Sequence, residues 1–222
     1  MYHWITDKSF LGRMKALCSD IVNRLVQSIN NDGELFVRQR LVGSGARNLI
    51  VQNAELPVDL DYNLEIVRAA GYDIGDCRGI KEYVRKKFNE VLEKAGWGDC
   101  SDSTSALTTE KRCFRKGCGA AFSIDLCIVR AEEDGKWYRL IHHKTGIAAF
   151  ESYCWNEAKS SSGYEMRARW LKENGLWHEV RETCLGKKNM YLCRMDRSHP
   201  SFVVYIEAVN EVFWKYAAPE RP

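Results

Sequence analysis

The sequence predicts a mixed α/β (α+β) lobe running to about residue 145, followed by a helical lobe over 146–222. Three patterns lead to that expectation. Val58 to Val67 and Ala120 to Val129 alternate with period two, as half-buried strands do. Residues 10–29 and 76–95 repeat apolar side chains at spacings of three and four, as amphipathic helices do. After about Thr145 the segments "YEMRARWLKENG", "LWHEVRETCLGKKNMYL" and "SFVVYIEAVNEVFWKY" read mostly as helices, rich in Trp and Tyr.

Taken in order, Phe10, Leu11, Met14, Leu17, Cys18, Ile21, Val22, Leu25, Val26 and Ile29 form one apolar stripe, and Gly33 after "NND" supplies its stop. "ELFVRQRLV" (Glu34 to Val42) reads as a strand or a helical tail, and "GSG" then turns the chain. In "VDLDYNLEIV" the residues Val58, Leu60, Tyr62, Leu64 and Ile66 face one side, while Asp59, Asp61, Asn63 and Glu65 face the other. A second helix carries Ile80, Tyr83, Val84, Phe88, Val91, Leu92 and Ala95. The runs Ala106 to Phe114 and Ala120 to Val129 flank "RKGCG", where Gly117 and Gly119 suggest an antiparallel hairpin. "KWYRLIHH" adds one more strand, "KSSSG" (Lys159 to Gly163) reads as a short linker, and Ser198 or Ser201 suits the cap of the last helix.

The chain has 222 residues, 45% hydrophobic and 28% charged, which suits one large domain or a domain with a small second lobe. A net charge of +3 is too mild to argue for nucleic-acid binding by itself. The opening "MYHWITDKSFLGRMK" lacks a basic stretch followed by an apolar core, so no signal peptide is expected. No run of about 18 apolar residues predicts a membrane span. Nine scattered cysteines, an odd number, point to reduced thiols and a cytoplasmic protein. "CFRKGC" is the one close Cys pair, and with no second pair at ligand spacing it reads as hairpin thiols rather than a zinc knuckle.

The carboxylates are the unusual feature. Asp59 and Asp61 lie two apart on a strand, so their Cα atoms are roughly 6.5–7 Å apart and their side chains project to one side. That suits two carboxylates sharing ions about 3.5–4 Å apart, as in two-metal phosphoryl chemistry. Like charges so close are unfavourable without a cation, and magnesium favours carboxylate oxygen together with phosphate. Asp125 is the one charge in "AAFSIDLCIV", and it completes the cluster if its strand lies beside that of Asp59. Glu65 is the rival third ligand but sits four residues further along. If the chain turns helical from Asn48 onward, backbone N–H groups and the Ser44 hydroxyl can hold phosphates, with Gly43 allowing close backbone approach.

Val42-Gly43-Ser44, then Asp59-Leu60-Asp61, then Asp125 on a later strand together resemble the polymerase-β-type nucleotidyltransferase superfamily. The match covers Val42 to Asp125. The long gap after Gly-Ser resembles the cyclic-nucleotide-synthase-like and oligoadenylate-synthase-like branch. The resemblance implies a nucleotidyltransferase-type mixed sheet backed by helices, with residues 1–145 as catalytic lobe and 146–222 as a helical lobe closing the nucleotide cleft. It implies magnesium-dependent transfer of NMP from an NTP, ATP above all, to a hydroxyl acceptor. Asp59 and Asp61 would bind two Mg2+ ions, or Mn2+ in their place. Asp125 would help bind the catalytic ion and promote hydroxyl attack, Ser44 would contact the β- and γ-phosphates, and Gly43 would permit the nucleotide-binding turn. The acceptor stays open between a small molecule, a nucleotide, RNA and a protein hydroxyl. A catalytically inactive nucleotide- or RNA-binding member is the alternative.

Lys144, Arg167 or Lys172 could reach a triphosphate, although each reads more readily as part of a solvated helix face. Trp137, Tyr138, Trp155, Trp170 and Trp177 read as core more than as a base-stacking platform. His142 and His143 are adjacent on a strand and so point to opposite faces, which argues against one shared site. No Ser/His/Asp or Cys/His arrangement and no Walker-type loop is readable.

Overall fold

The computed structural model describes residues 1–114, 120–133, 135–158, 163–196 and 198–217. The glycines expected to punctuate the hairpin, Cys118, and most of the Lys159 to Gly163 linker lie outside the described residues. In chain order the elements are β1 (Tyr2–Trp4), α1 (Lys8–Asp32), β2 (Leu35–Leu41), α2 (Gly43–Arg47), β3 (Val51–Asn53), β4 (Val58–Ala69) and α3 (Cys77–Lys94). There follow β5 (Ser101–Asp102), β6 (Leu107–Thr108), β7 (Phe122–Ala131), β8 (Trp137–His143), β9 (Ser152–Glu157), α4 (Tyr164–Glu173), α5 (Trp177–Cys193) and α6 (Ser201–Ala217). The chain divides into two compact units: residues 5–50 with 55–159, and residues 1–4 with 51–54 and 160–222.

The larger unit is a mixed sheet ordered β2-β4-β7-β6-β5, with β8 pairing β7 and β9 pairing β8. Among these pairings β4 with β7 is parallel and the others are antiparallel. A parallel pair needs a long crossover, and α3 lies in the one between β4 and β7. The Asp7 carboxylate caps α1 by accepting from the Phe10 N–H at 2.8 Å, and Gly33 ends the helix in the left-handed region, φ 77°. One core joins the apolar face of β4 (Val58, Leu60, Tyr62, Leu64, Ile66) and of β7 (Phe122, Ile124, Leu126, Ile128) to the stripes of α1 and α3. Tyr62 is fully buried, as alternation predicts; burial pushes its hydroxyl up to about 12, and the Ser19 hydroxyl at 2.9 Å satisfies it.

Of the two readings open for Glu34 to Val42 the strand holds, with Leu35–Leu41 pairing β4. Residues 152–157 form a strand on β8, within a stretch whose pattern reads mostly as helical. Glu65, the rival third ligand, is buried and accepts from Nε and Nη2 of its register partner Arg38, at 2.7 and 2.6 Å. A buried carboxylate keeps its charge only with such a partner. Arg38→Met is therefore expected to destabilise the fold, because it leaves the buried Glu65 carboxylate without its partner. A fall in the urea midpoint at unchanged m-value checks this, with recovery expected in Arg38→Met/Glu65→Leu.

In the smaller unit β1 and β3 pair antiparallel, and the Asn189 side chain both accepts from the Tyr2 N–H (2.6 Å) and donates to its carbonyl (3.0 Å). Trp170 packs edge-on against Phe213 and Trp177 against Tyr205. Arg167 donates to Asn210 at 2.6 Å, and Lys172 lies over the Trp177 ring. These aromatic and basic residues thus have packing roles inside their own unit. Among the described residues no helix is long and apolar enough to cross a membrane.

Candidate active site

Strand pairing builds the site. Because β4 and β7 run parallel in register, Asp61 stands opposite Asp125 and Asp59 opposite Ser123. All four belong to the sheet face opposite the core, since their neighbours in sequence are the buried residues of both strands. Asp59 is exposed, while Asp61 and Asp125 are half-buried. Ser123 donates its hydroxyl to Asp59 at 2.5 Å, and Thr108 of β6, the register partner of Asp125, donates to Asp125 at 2.6 Å.

The Gly-Ser-Gly turn comes against this face. The condition of a helix from Asn48 onward is not met: a short helix, α2, starts at Gly43 and is ended by Asn48 in the left-handed region, φ 56°. The Val42 N–H bonds the Asp61 carbonyl at 2.8 Å and fastens the turn to β4. Gly43 has φ 63°, and a Cβ there would sit 2.1 Å from Asp61 Oδ2. Only glycine lets the backbone lie this close to the carboxylate. The Ser44 carbonyl accepts from Leu49 N–H at 3.0 Å.

Burial, then the charges of Asp125 and Asp59, push the Asp61 carboxyl up to about 6, against the opposing pull of Arg139 and Arg47. Burial also raises Asp125; the Thr108 hydroxyl works against that, and Asp59 adds to it. The three carboxylates therefore feel one another electrically. Among the described residues, however, no group of three or more His, Cys, Asp or Glu side chains is arranged to hold a metal ion. The donor set itself fits a hard divalent cation: carboxylate oxygens on one face, in a like-charge conflict that a cation relieves.

Four residues of this site escape the sequence reading. Ser123 and Thr108 position the carboxylates, and Arg47 and Arg139 are the cations acting on Asp61. Arg139 reaches this face because β8 pairs it with Val129, two residues on from Cys127 and four from Asp125. Alternation in "KWYRLIHH" marks Arg139 as one face of a strand, but not which sheet face. Of the other candidates, Lys144 donates to the Asp102 carbonyl, and His142 is buried between Asp102 and Glu151.

No family model and no curated protein matches the sequence. Solved structures match in fold. CdnC of Escherichia coli MS115-1, solved with ATP, aligns over 94% of this chain and 66% of its own, at 13% identity and TM-score 0.56. The CdnE cyclic dinucleotide synthase of Elizabethkingia meningoseptica, with GTP and Apcpp, aligns over 88% and 68%, at 13% identity and TM-score 0.52. The Vibrio cholerae DncV cyclic AMP-GMP synthase, a prokaryotic cGAS homolog, aligns over 85% and 47%, at 11% identity and TM-score 0.51. The chain thus spans about two thirds of the length of the first two and about half of the third. At these identities the likeness shows the fold alone: this chain shares the fold of these nucleotide-bound structures and of the cyclic AMP-GMP synthase.

Proposed function

We propose that the chain is a divalent-metal-dependent nucleotidyltransferase that moves the NMP of an NTP, ATP first, onto a hydroxyl acceptor. One observation carries this reading: the β4–β7 register that sets Asp61 opposite Asp125, with Asp59 two residues away and the Gly43 turn against Asp61. The acceptor oxygen bonds to the α-phosphorus, the bond from that phosphorus to the β-phosphate oxygen breaks, and pyrophosphate leaves.

Asp59, Asp61 and Asp125 would hold magnesium, or manganese in its place, which when bound neutralises phosphate charge and makes the acceptor hydroxyl more acidic. The chain's own contribution is placement. Gly43 keeps the turn close to Asp61, and the Ser44 hydroxyl is the group proposed to meet the terminal phosphates. Arg47 and Arg139, which already act on Asp61, supply positive charge for the triphosphate. Asp125, with its raised pKa, is the group proposed to receive the acceptor's proton.

The neighbours' bound ATP and GTP, and the cyclic dinucleotide products of CdnE and DncV, support a nucleotide ribose hydroxyl as the acceptor to test first. Incubation with all four NTPs and magnesium should release pyrophosphate, with a linear or cyclic oligonucleotide found by mass spectrometry. Asp59→Ala should lower release by at least about a thousandfold. Calorimetric ATP binding without turnover on any acceptor class would favour the second reading, a non-catalytic nucleotide- or RNA-binding member.

A further inference from the structure

The larger unit buries a set of charges that the site does not use. Lys81 of α3 and Asp102 of β5 meet at 2.6 Å with side chains only 2% and 6% exposed. His142 of β8 faces Asp102 through Nδ1 at 2.7 Å and Glu151 through Nε2 at 3.0 Å, and its ring stacks on Tyr153 at 4.0 Å. Burial lowers the Lys81 ammonium, with Asp102 opposing. Burial acts to raise Asp102, but Lys81 and His142 outweigh it and hold that carboxyl below its usual range. Such a cluster is often no more stabilising than apolar residues of the same size, so its use here calls for a role in fixing geometry.

Its backbone contacts show which geometry. Lys81 also donates to the Ser103 carbonyl at 2.9 Å, the His142 N–H bonds the Thr104 carbonyl at 2.7 Å, and Lys144 donates to the Asp102 carbonyl. Four groups from α3, β8 and the residue after β8 therefore grip the turn of the β5–β6 hairpin. Each strand of that hairpin is two residues long, too short to be stable alone. Its outer strand is gripped by the cluster, and its inner strand carries Thr108 to Asp125.

We propose that the Lys81–Asp102–His142 cluster is a positioning clamp that sets the Asp125 carboxylate through the hairpin bearing Thr108. Its catalytic consequence rests on the nucleotidyltransferase reading above; its structural consequence does not. The test uses Thr108→Val, the charge-free pair Lys81→Met/Asp102→Leu, and all three together. Thr108→Val is expected to lower kcat about tenfold with KM for the NTP within about twofold, the pattern of a group that matters in the transition state and not in binding. Lys81→Met/Asp102→Leu should reproduce that split, and the triple variant should lose no more, because both changes act along one path. A pair variant with wild-type kcat, or a triple variant whose losses multiply to about a hundredfold, overturns the clamp.

Amide exchange gives an answer that needs no turnover. The Thr109 N–H bonds the Ile124 carbonyl at 3.0 Å and reports the seating of the hairpin on β7. It should exchange at least about tenfold faster in Lys81→Met/Asp102→Leu, while the α1 amides of Ile21 to Leu25 stay as protected as in the wild type. Unchanged Thr109 exchange overturns the clamp whether or not the protein turns over. A wild type without turnover, but with this exchange change, overturns only the activity. Should the pair variant not fold, His142→Gln, which removes one grip, carries the same exchange comparison with the same two outcomes.

Discussion

Asp61→Asn is expected to make the metal-free protein more stable above neutral pH while abolishing pyrophosphate release. Folding raises the Asp61 pKa from 3.8 to about 6, chiefly by burial and then by Asp125 and Asp59. The folded state therefore binds this proton more tightly than the unfolded chain. Stability from the group is fully present below the unfolded value and is lost as pH rises through about 6. At about 1.4 kcal/mol per unit, ionising it in the fold costs up to roughly 3 kcal/mol by pH 8. Asparagine keeps the shape and removes the charge. A net gain of about 1–2 kcal/mol, a rise in Tm of about 3–6 °C, is expected at pH 8 in chelator. The gain should disappear near pH 4, where wild-type Asp61 is protonated. Magnesium should raise the Tm of the wild type and leave that of Asp61→Asn nearly unmoved. A variant less stable than the wild type at pH 8 would show that Asp61 is held by partners rather than strained by its neighbours.

Gly43→Ala is expected to lower activity about a hundredfold, although it changes no group proposed to meet phosphate or metal. The added Cβ falls 2.1 Å from Asp61 Oδ2, 3.0 Å from its Cγ and 3.2 Å from its Cβ, so the whole side chain must shift rather than only its tip. Misplacement of about 1 Å in a site of this kind costs about a hundredfold. The backbone adds its own penalty, since φ 63° strains alanine by about 1 kcal/mol. Total destabilisation of about 2 kcal/mol is expected by chemical denaturation. Combining Gly43→Ala with Asp61→Ala should recover part of it, because no carboxylate remains to displace. Simple addition of the two losses would mean that the turn and Asp61 do not press on each other.

Both results depend on proximity that had to be seen in three dimensions, though the residues themselves stand out in the sequence. Period-two alternation is a local property, and it assigns Asp59, Asp61 and Asp125 to the non-core faces of their strands because the opposite faces are apolar. Helical stripes in α1 and α3 are equally local, as are the Asp7 and Asp76 caps and the Gly33 stop. What alternation cannot give is pairing. The parallel register that sets Asp61 against Asp125 joins residues 64 apart, and it is decided by how two apolar faces pack on α1 and α3 together. The strand over 152–157 is missed because Ser152, Tyr153, Cys154 and Trp155 show no clean alternation; β8 makes it a strand by pairing with it. Nor can alternation give Glu65 its partner, since only the β2–β4 register supplies Arg38.

The sequence by itself determined the kind of fold, the core faces and the identity of the acidic residues, because these follow from short-range periodicity and from the rarity of charge in an apolar strand. Only the tertiary structure decided the neighbours: Thr108, Ser123, Arg139 and the buried Lys81–Asp102–His142 cluster. Each of those contacts joins distant segments through strand register, and a shift of one residue in any strand would turn its side chains to the other face of the sheet.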